Sequence, residues 1–139
     1  MATRYEAICR RVGKSFGRNT LIGRAIRAVL PVSTLEVEGC IFTLHPRDNH
    51  TEYQMFMQCS PAEPQTLDYL TQRARGKRTN FIDIGANCGA FCIPVASASD
   101  LHSKIVAFEP NPVMYKRLIR NIELNGLCNI TAHPFALGP

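Results

Sequence analysis

The sequence predicts an α/β fold built on a parallel sheet, and three observations carry that expectation. Residues 81–84 (FIDI) form a short apolar, β-prone run, as expected of a strand buried on both faces of a parallel sheet. A turn at Gly85-Ala86-Asn87-Cys88-Gly89 then joins it to a mostly apolar helix. A second run, Ile105-Val106-Ala107-Phe108, ends on Glu109, and a third strand is expected at 128–135 after another amphipathic helix, so strands and helices alternate as βαβαβ.

Residues 1–33 read as a basic amphipathic helical extension. Tyr5, Ile8, Cys9, Val12 and Phe16 recur at helical spacing, as do Leu21, Ile22, Ile26, Val29 and Leu30. Gly17-Arg18-Asn19 separates the two helices, Asn19 or Thr20 can cap the second, and Pro31 ends it. Such an extension suits a lid packed on the domain. The same pattern also suits contact of residues 1–30 with a membrane surface, or an organelle transit peptide. A secretory signal is excluded, because Arg24 and Arg27 interrupt any apolar core.

From Thr34 the pattern turns to strands. Leu35, Val37 and then Ile41, Thr43 alternate around Glu38-Gly39, which predicts a hairpin. A polar loop leads into Tyr53, Met55 and Met57, whose alternation predicts a further strand. His45, Asp48, His50 and Glu52 lie close in sequence, but polar loops commonly look this way without binding a metal, and none is assigned. Ser60 with Glu63 makes a capping box, with Pro61 at the first helical position. Leu67, Leu70 and Ala74 then form an apolar stripe that Gly76 terminates. The basic run 73–78 reads as the solvated end of this helix, complementing its dipole.

After the glycine turn, Phe91, Ile93, Val95 and Ala96 make a helix that should pack on the sheet. Pro94 predicts a kink or a late helix start. Cys88 and Cys92, four apart, read as small buried thiols. Lys104 opens the second strand. Asn111 caps the next helix, Pro112 takes its first position and Gly126 lies just past its end. Met114, Leu118, Ile119 and Ile122 should face inward, and Lys116, Arg117, Arg120 and Glu123 should face water.

The glycine turn separates two cofactor classes. A dinucleotide site favours G-x-G-x-x-G, with a pyrophosphate seated on the helix end. Here the order is Gly85-x-Asn87-x-Gly89, and Asn87 stands where positive φ is expected. Amides at the helix start favour a negative ligand group. Asp83, however, sits two residues before the turn, where an anion repels a pyrophosphate and suits an ammonium. Glu109 ends the second strand, where a carboxylate can accept the ribose hydroxyls of an adenosine. S-adenosylmethionine, with an ammonium, a sulfonium and no phosphate, fits these acids better than NAD.

The runs FIDIGANCGAF, VAFEPNP and RNIELNGLCNITAHPFALG together resemble an FkbM-type S-adenosylmethionine-dependent methyltransferase. The resemblance covers 81–138, and the chain is compatible with it from about residue 35. It implies a Rossmann-like class I methyltransferase sheet with strand order 3-2-1-4-5-7-6. Residues 34–139 would form an incomplete version of it, with the glycine turn and the first three strands in 79–139. The family continues for about another hundred residues, which carry the rest of the substrate site. The resemblance implies methylation of a hydroxyl oxygen on a small molecule or sugar. Cofactor contacts would come from Asp83, Gly85, Ala86, Asn87, Gly89, Glu109, Pro110, Phe135 and Ala136, the last two beside the adenine at the tip of the third strand. It names no catalytic residue. A sheet stopping at three strands leaves an exposed edge prone to self-association. A non-catalytic cofactor binder, a membrane-associated module built on the basic helices and an NAD-type enzyme stay open as alternatives.

Composition narrows the classes further. An apolar fraction of 45% and a mean hydropathy of −0.08 describe an ordinary globular chain, and no run of apolar residues is long enough to span a membrane. Six cysteines without a C-x-x-C pair read as reduced thiols, which points to a cytoplasmic setting unless residues 1–30 direct the chain to an organelle or a membrane surface. The net charge of +5 is uneven: residues 1–31 carry seven basic residues and one acid, the remainder nine basic and ten acidic. The near-neutral fold argues against nucleic acid as a partner.

Overall fold

The computed structural model describes residues 21–138. The expected first helix, with Tyr5, Ile8, Cys9, Val12 and Phe16, and the caps Asn19 and Thr20 lie outside these residues. Helix α1 (Leu21–Val29) leads into a hairpin of β1 (Ser33–Val37) and β2 (Cys40–Leu44). Helices α2 (His50–Gln58) and α3 (Pro64–Ala74) follow. The parallel sheet then comprises β3 (Asn80–Ile84), β4 (Lys104–Phe108) and β5 (Ile130–His133), connected through α4 (Cys92–Ala98) and α5 (Pro112–Leu124).

The sheet order β3-β4-β5 is the 3-2-1 half of the expected order. Both pairings are parallel, with Asp83 beside Ala107 and Ala107 beside Ala132. One face is covered: Asp83, Ile105 and Ala107 are buried there, and Ile93, Val95 and Leu118 join them in the core. The other face is open, with Ile82 62% and Ile84 68% exposed. The expectation that 81–84 is buried on both faces is therefore corrected, because among the described residues no element packs on that side.

Glu38 (φ 51°) and Gly39 (φ 72°) close the hairpin with two positive φ values, the pattern that matches strand twist in two-residue turns. Cys40, Phe42 and Leu44 point into the core, which leaves Ile41 and Thr43 on the opposite face. That outer edge of β2 is paired by side chains of α5. Asn125 accepts from Ile41 N (2.8 Å) and donates to Ile41 O (2.7 Å), and Asn121 accepts from Thr43 N (2.9 Å). Two carboxamides one helical turn apart thus stand in for a third strand.

Three further expectations are corrected. Residues 50–58 are helical, not a strand carrying Tyr53, Met55 and Met57. Asn49 caps this helix by accepting from Glu52 N (2.9 Å), and burial of Phe56 and Glu52 alongside those three residues spreads the apolar pattern around most of the helix. Helix α3 opens at Pro64, not Pro61, with Glu63 as a cap whose side chain bonds no helix amide. The preference of proline for the first helical position is met at the second proline; the stripe of Leu67, Leu70 and Ala74 is as expected. Arg117 does not face water: it donates to Asp48 (2.7 Å) and to the fully buried Glu52 (2.7 Å). Those acids are thereby occupied, and the described residues contain no group that could hold a metal.

The remaining helix signals correspond to observed elements. Asn111 caps α5 through Val113 N and Met114 N, and Pro112 takes the first position. Helix α4 starts late, placing Pro94 within its first turn, where its missing N–H has no helical partner to lose. Arg27 donates to Pro46 O (3.0 Å) and lies over the Tyr53 ring (5.2 Å), tying α1 to the loop before α2. No helix among the described residues is long and apolar enough to cross a membrane.

Candidate functional site

The glycine turn lies at the C-terminal end of β3, the edge of a parallel sheet where ligands of open α/β folds bind. Asn87 adopts φ 53° and Gly89 φ 93°, so the left-handed conformation expected at Asn87 is present. Gly89 packs so closely on α4 and α5 that an added Cβ would lie 2.9 Å from Ile93 Cγ1 and 3.0 Å from Leu118 Cδ1. Cys88 and Cys92 are both fully buried, and burial drives both thiols well above their ordinary pKa. They are therefore inert packing groups at this site.

Four of the five backbone donors of the turn, those of Gly85, Ala86, Asn87 and Gly89, are committed internally. Gly85 N and Ala86 N both donate to Phe108 O (2.8 and 2.9 Å), and Gly89 N donates to Ala86 O (2.8 Å). Asn87 N donates to Glu109 Oε2 (2.8 Å), and Cys92 N to Asp83 Oδ2 (3.1 Å). Asp83 thus takes the amide at the start of α4 that a ligand anion was expected to find. A pyrophosphate needs free amides, and these five are spent.

Two acids stand at the turn without a cation. Asp83 and Glu109 are 8% and 6% exposed, and among the described residues neither forms a salt bridge. Burial, with the nearby Glu109 charge adding to it, raises the Asp83 carboxyl above its usual range. Glu109 accepts from Asn87 N and, through Oε1, from Asn111 N (2.8 Å), so one carboxylate fastens the turn to the cap of α5. The amide donors from Cys92 and Asn111 are the partners that sequence reasoning did not place at the site. Each carboxylate oxygen of Glu109 keeps a second acceptor direction. Asn87 Oδ1 is buried and has no hydrogen-bond partner among the described residues. The rim of the turn is therefore rich in acceptors and poor in donors.

The other expected contacts sit at neighbouring strand ends. Pro110 follows Glu109 and is exposed, as are Phe135 and Ala136 beyond β5. Phe135 packs against Phe108 (5.5 Å between ring centroids) and His133 (5.3 Å), and Phe108 stacks on His133 (5.2 Å). This half-exposed aromatic cluster stands at the strand tips beside Glu109, with Phe135 tilted against the stacked Phe108 and His133 rings. A cavity of about 420 Å³ lies elsewhere, between α3, the last turns of α4 and Glu38, and contains none of the expected site residues.

No protein-family profile matches the chain, and no curated protein matches it. Solved structures do. TYW2 from P. horikoshii, in complex with MeSAdo, superposes with a TM-score of 0.61 at 21% identity over 78% of this chain and 38% of that one. The Pyrococcus horikoshii protein PH0793 gives 0.60 at 21% identity over 76% and 36%. TYW2 from M. jannaschii, in complex with AdoMet, gives 0.56 at 22% identity over 72% and 41%. This chain thus spans well under half the length of these proteins. It has an α/β, Rossmann-like fold, shared with proteins solved in complex with MeSAdo and with AdoMet.

Proposed function

We propose that the chain is the cofactor-binding portion of an S-adenosylmethionine-dependent methyltransferase, of FkbM type, acting on a hydroxyl oxygen of a small molecule or sugar. The observation that carries the cofactor assignment is the acceptor-rich, amide-spent turn: Asp83 and Glu109 buried without a cation, beside the unpartnered Asn87 Oδ1. A ligand presenting an ammonium, a sulfonium and ribose hydroxyls meets these groups with donors and positive charge, whereas a pyrophosphate meets only acceptors. Glu109 would hold the ribose, the turn residues Gly85, Ala86, Asn87 and Gly89 the amino-acid end, and Pro110, Phe135 and Ala136 the adenine. Asp83 acts from beneath, fixing the start of α4 through Cys92 N. Bound there, the cofactor supplies a methyl group already activated by its sulfonium. The FkbM reading and the hydroxyl acceptor rest on the three sequence runs described above.

Calorimetry on the folded chain tests the assignment. S-adenosylmethionine and its demethylated product should bind, and NAD should not. Glu109→Gln, nearly isosteric, should weaken binding by about 1–3 kcal/mol through loss of charged hydrogen bonds. Equal binding by wild type and Glu109→Gln, or binding of NAD in place of the methyl donor, would overturn it.

A further inference from the structure

We propose that Asn121 is a positioning residue for the cofactor site: it sets the glycine turn from below and couples that turn to the hairpin. The proposal rests on the cofactor reading above and assigns to it a residue that touches no ligand. Asn121 is fully buried in α5, and both ends of its carboxamide are used. Its Oδ1 accepts from Thr43 N of β2 (2.9 Å), and its Nδ2 donates to Cys88 O (2.9 Å), the carbonyl in the middle of the turn. The turn is thus held at three successive residues: Asn87 by its amide on Glu109, Cys88 by its carbonyl on Asn121, and Gly89 by close packing on Leu118 and Ile93. Leu118 and Asn121, three apart, lie on one face of α5 and form the floor under the turn.

The carboxamide chemistry is specific to this place. One side chain must present an acceptor to a backbone amide and a donor to a backbone carbonyl at once, both away from water. Turning Cys88 O down toward Nδ2 fixes the peptide plane between Cys88 and Gly89. That plane sets where Asn87 and Gly89 stand relative to a bound ligand. Removing the donor leaves Cys88 O buried without a partner and frees the plane to rotate. The neighbouring Asn125 makes the same kind of bond to β2, at Ile41, and its Nδ2 also donates to the backbone oxygen of Asn121 (2.7 Å), but it reaches no atom of the turn. It provides the internal control.

The test compares Asn121→Asp, which keeps the shape and the acceptor but loses the donor, with Asn125→Ala, each in the full chain. Amide hydrogen exchange reads the turn without any ligand, and titration with S-adenosylhomocysteine reads the site. In Asn121→Asp, the amides of Asn87 and Gly89 should exchange about tenfold faster, and Kd should rise about tenfold. In Asn125→Ala, the hairpin amides should exchange faster while the turn amides and Kd stay at wild-type values. Unchanged turn amides in Asn121→Asp, or an equal effect of both variants on the turn, would overturn the positioning role. If wild type does not bind the ligand while the turn amides respond as expected, the cofactor reading fails and the positioning of the turn stands. Should Asn121→Asp not fold, Asn121→Ser takes its place in both measurements, where faster exchange at the turn supports the role and unchanged exchange overturns it.

Discussion

Replacing Gly89 by alanine should be the most damaging single-methyl change in the turn. Two effects add. The residue holds φ 93°, where an L side chain costs about 1–2 kcal/mol. The new Cβ also meets Ile93 Cγ1 at 2.9 Å and Leu118 Cδ1 at 3.0 Å, and both side chains are fully buried. Overpacking of that kind costs about 1–3 kcal/mol. The sum, about 2–5 kcal/mol, is a large share of the roughly 5–15 kcal/mol that holds a domain folded. Gly85→Ala isolates the second effect. Its φ of 78° carries the same backbone cost, but nothing lies within 4 Å of its Cβ. Any gain from stiffening the unfolded chain is common to both variants and cancels in their difference. Urea unfolding should therefore place the midpoint of Gly89→Ala below that of Gly85→Ala by an amount equivalent to about 1–3 kcal/mol at unchanged slope. Coincident midpoints would show that the turn is not clamped between α4 and α5 as described.

Other substitutions probe the same frame. Asn87→Gly should be neutral within about 0.5 kcal/mol, whereas Asn87→Val, β-branched at φ 53°, should cost at least about 1 kcal/mol in the same unfolding assay. Arg117→Met should cost about 3–5 kcal/mol, because it leaves Glu52 buried without its cation; the deficit should shrink as pH falls and that carboxyl takes up a proton. Burial raises the Asp83 pKa in the folded chain, so the native state keeps this proton longer than the unfolded state does. Stability should then fall as pH rises from the ordinary carboxylate pKa through the raised one. Asp83→Asn should flatten that slope in a series of thermal melts across acidic pH.

The parts of the fold legible in the sequence are those whose signal is local. Asn111-Pro112, the Glu38-Gly39 turn and the left-handed Asn87 each depend on backbone geometry that a few residues dictate, and each is present in the structure. Alternation of strand and helix announced the parallel sheet, and its order β3-β4-β5 is the one the family resemblance implied. What was missed depends on distant partners. Arg117 sits on the outward side of a helical wheel, and only a fold that brings residues 48 and 52 beside it reveals a buried ion pair. Helix α2 buries residues on several sides, so Tyr53, Met55 and Met57 mimicked strand alternation; Asn49 as an N-cap was the signal available against it. At the site itself, the two acids and the turn were readable as a cluster. Their internal use, with Asp83 on Cys92 N and Glu109 on two amides, was not, because it depends on how α4 and α5 dock.

The clamp of β2 by Asn121 and Asn125 has a consequence for the order of folding. The parallel pairings join residues a short way apart in the chain, such as Asn80 with Lys104 and Ile105 with Ile130. The hairpin clamp closes much longer loops, 84 residues between Ile41 and Asn125 and 78 between Thr43 and Asn121. Loop closure makes these contacts costlier by about 1 kcal/mol before any reward is gained. The βαβαβ unit should therefore assemble first, with the hairpin docking onto a completed α5. A chevron plot of Asn125→Ala should show faster unfolding and an unaltered folding limb. A slowed folding limb would mean that the hairpin belongs to the nucleus and that the sheet grows around it.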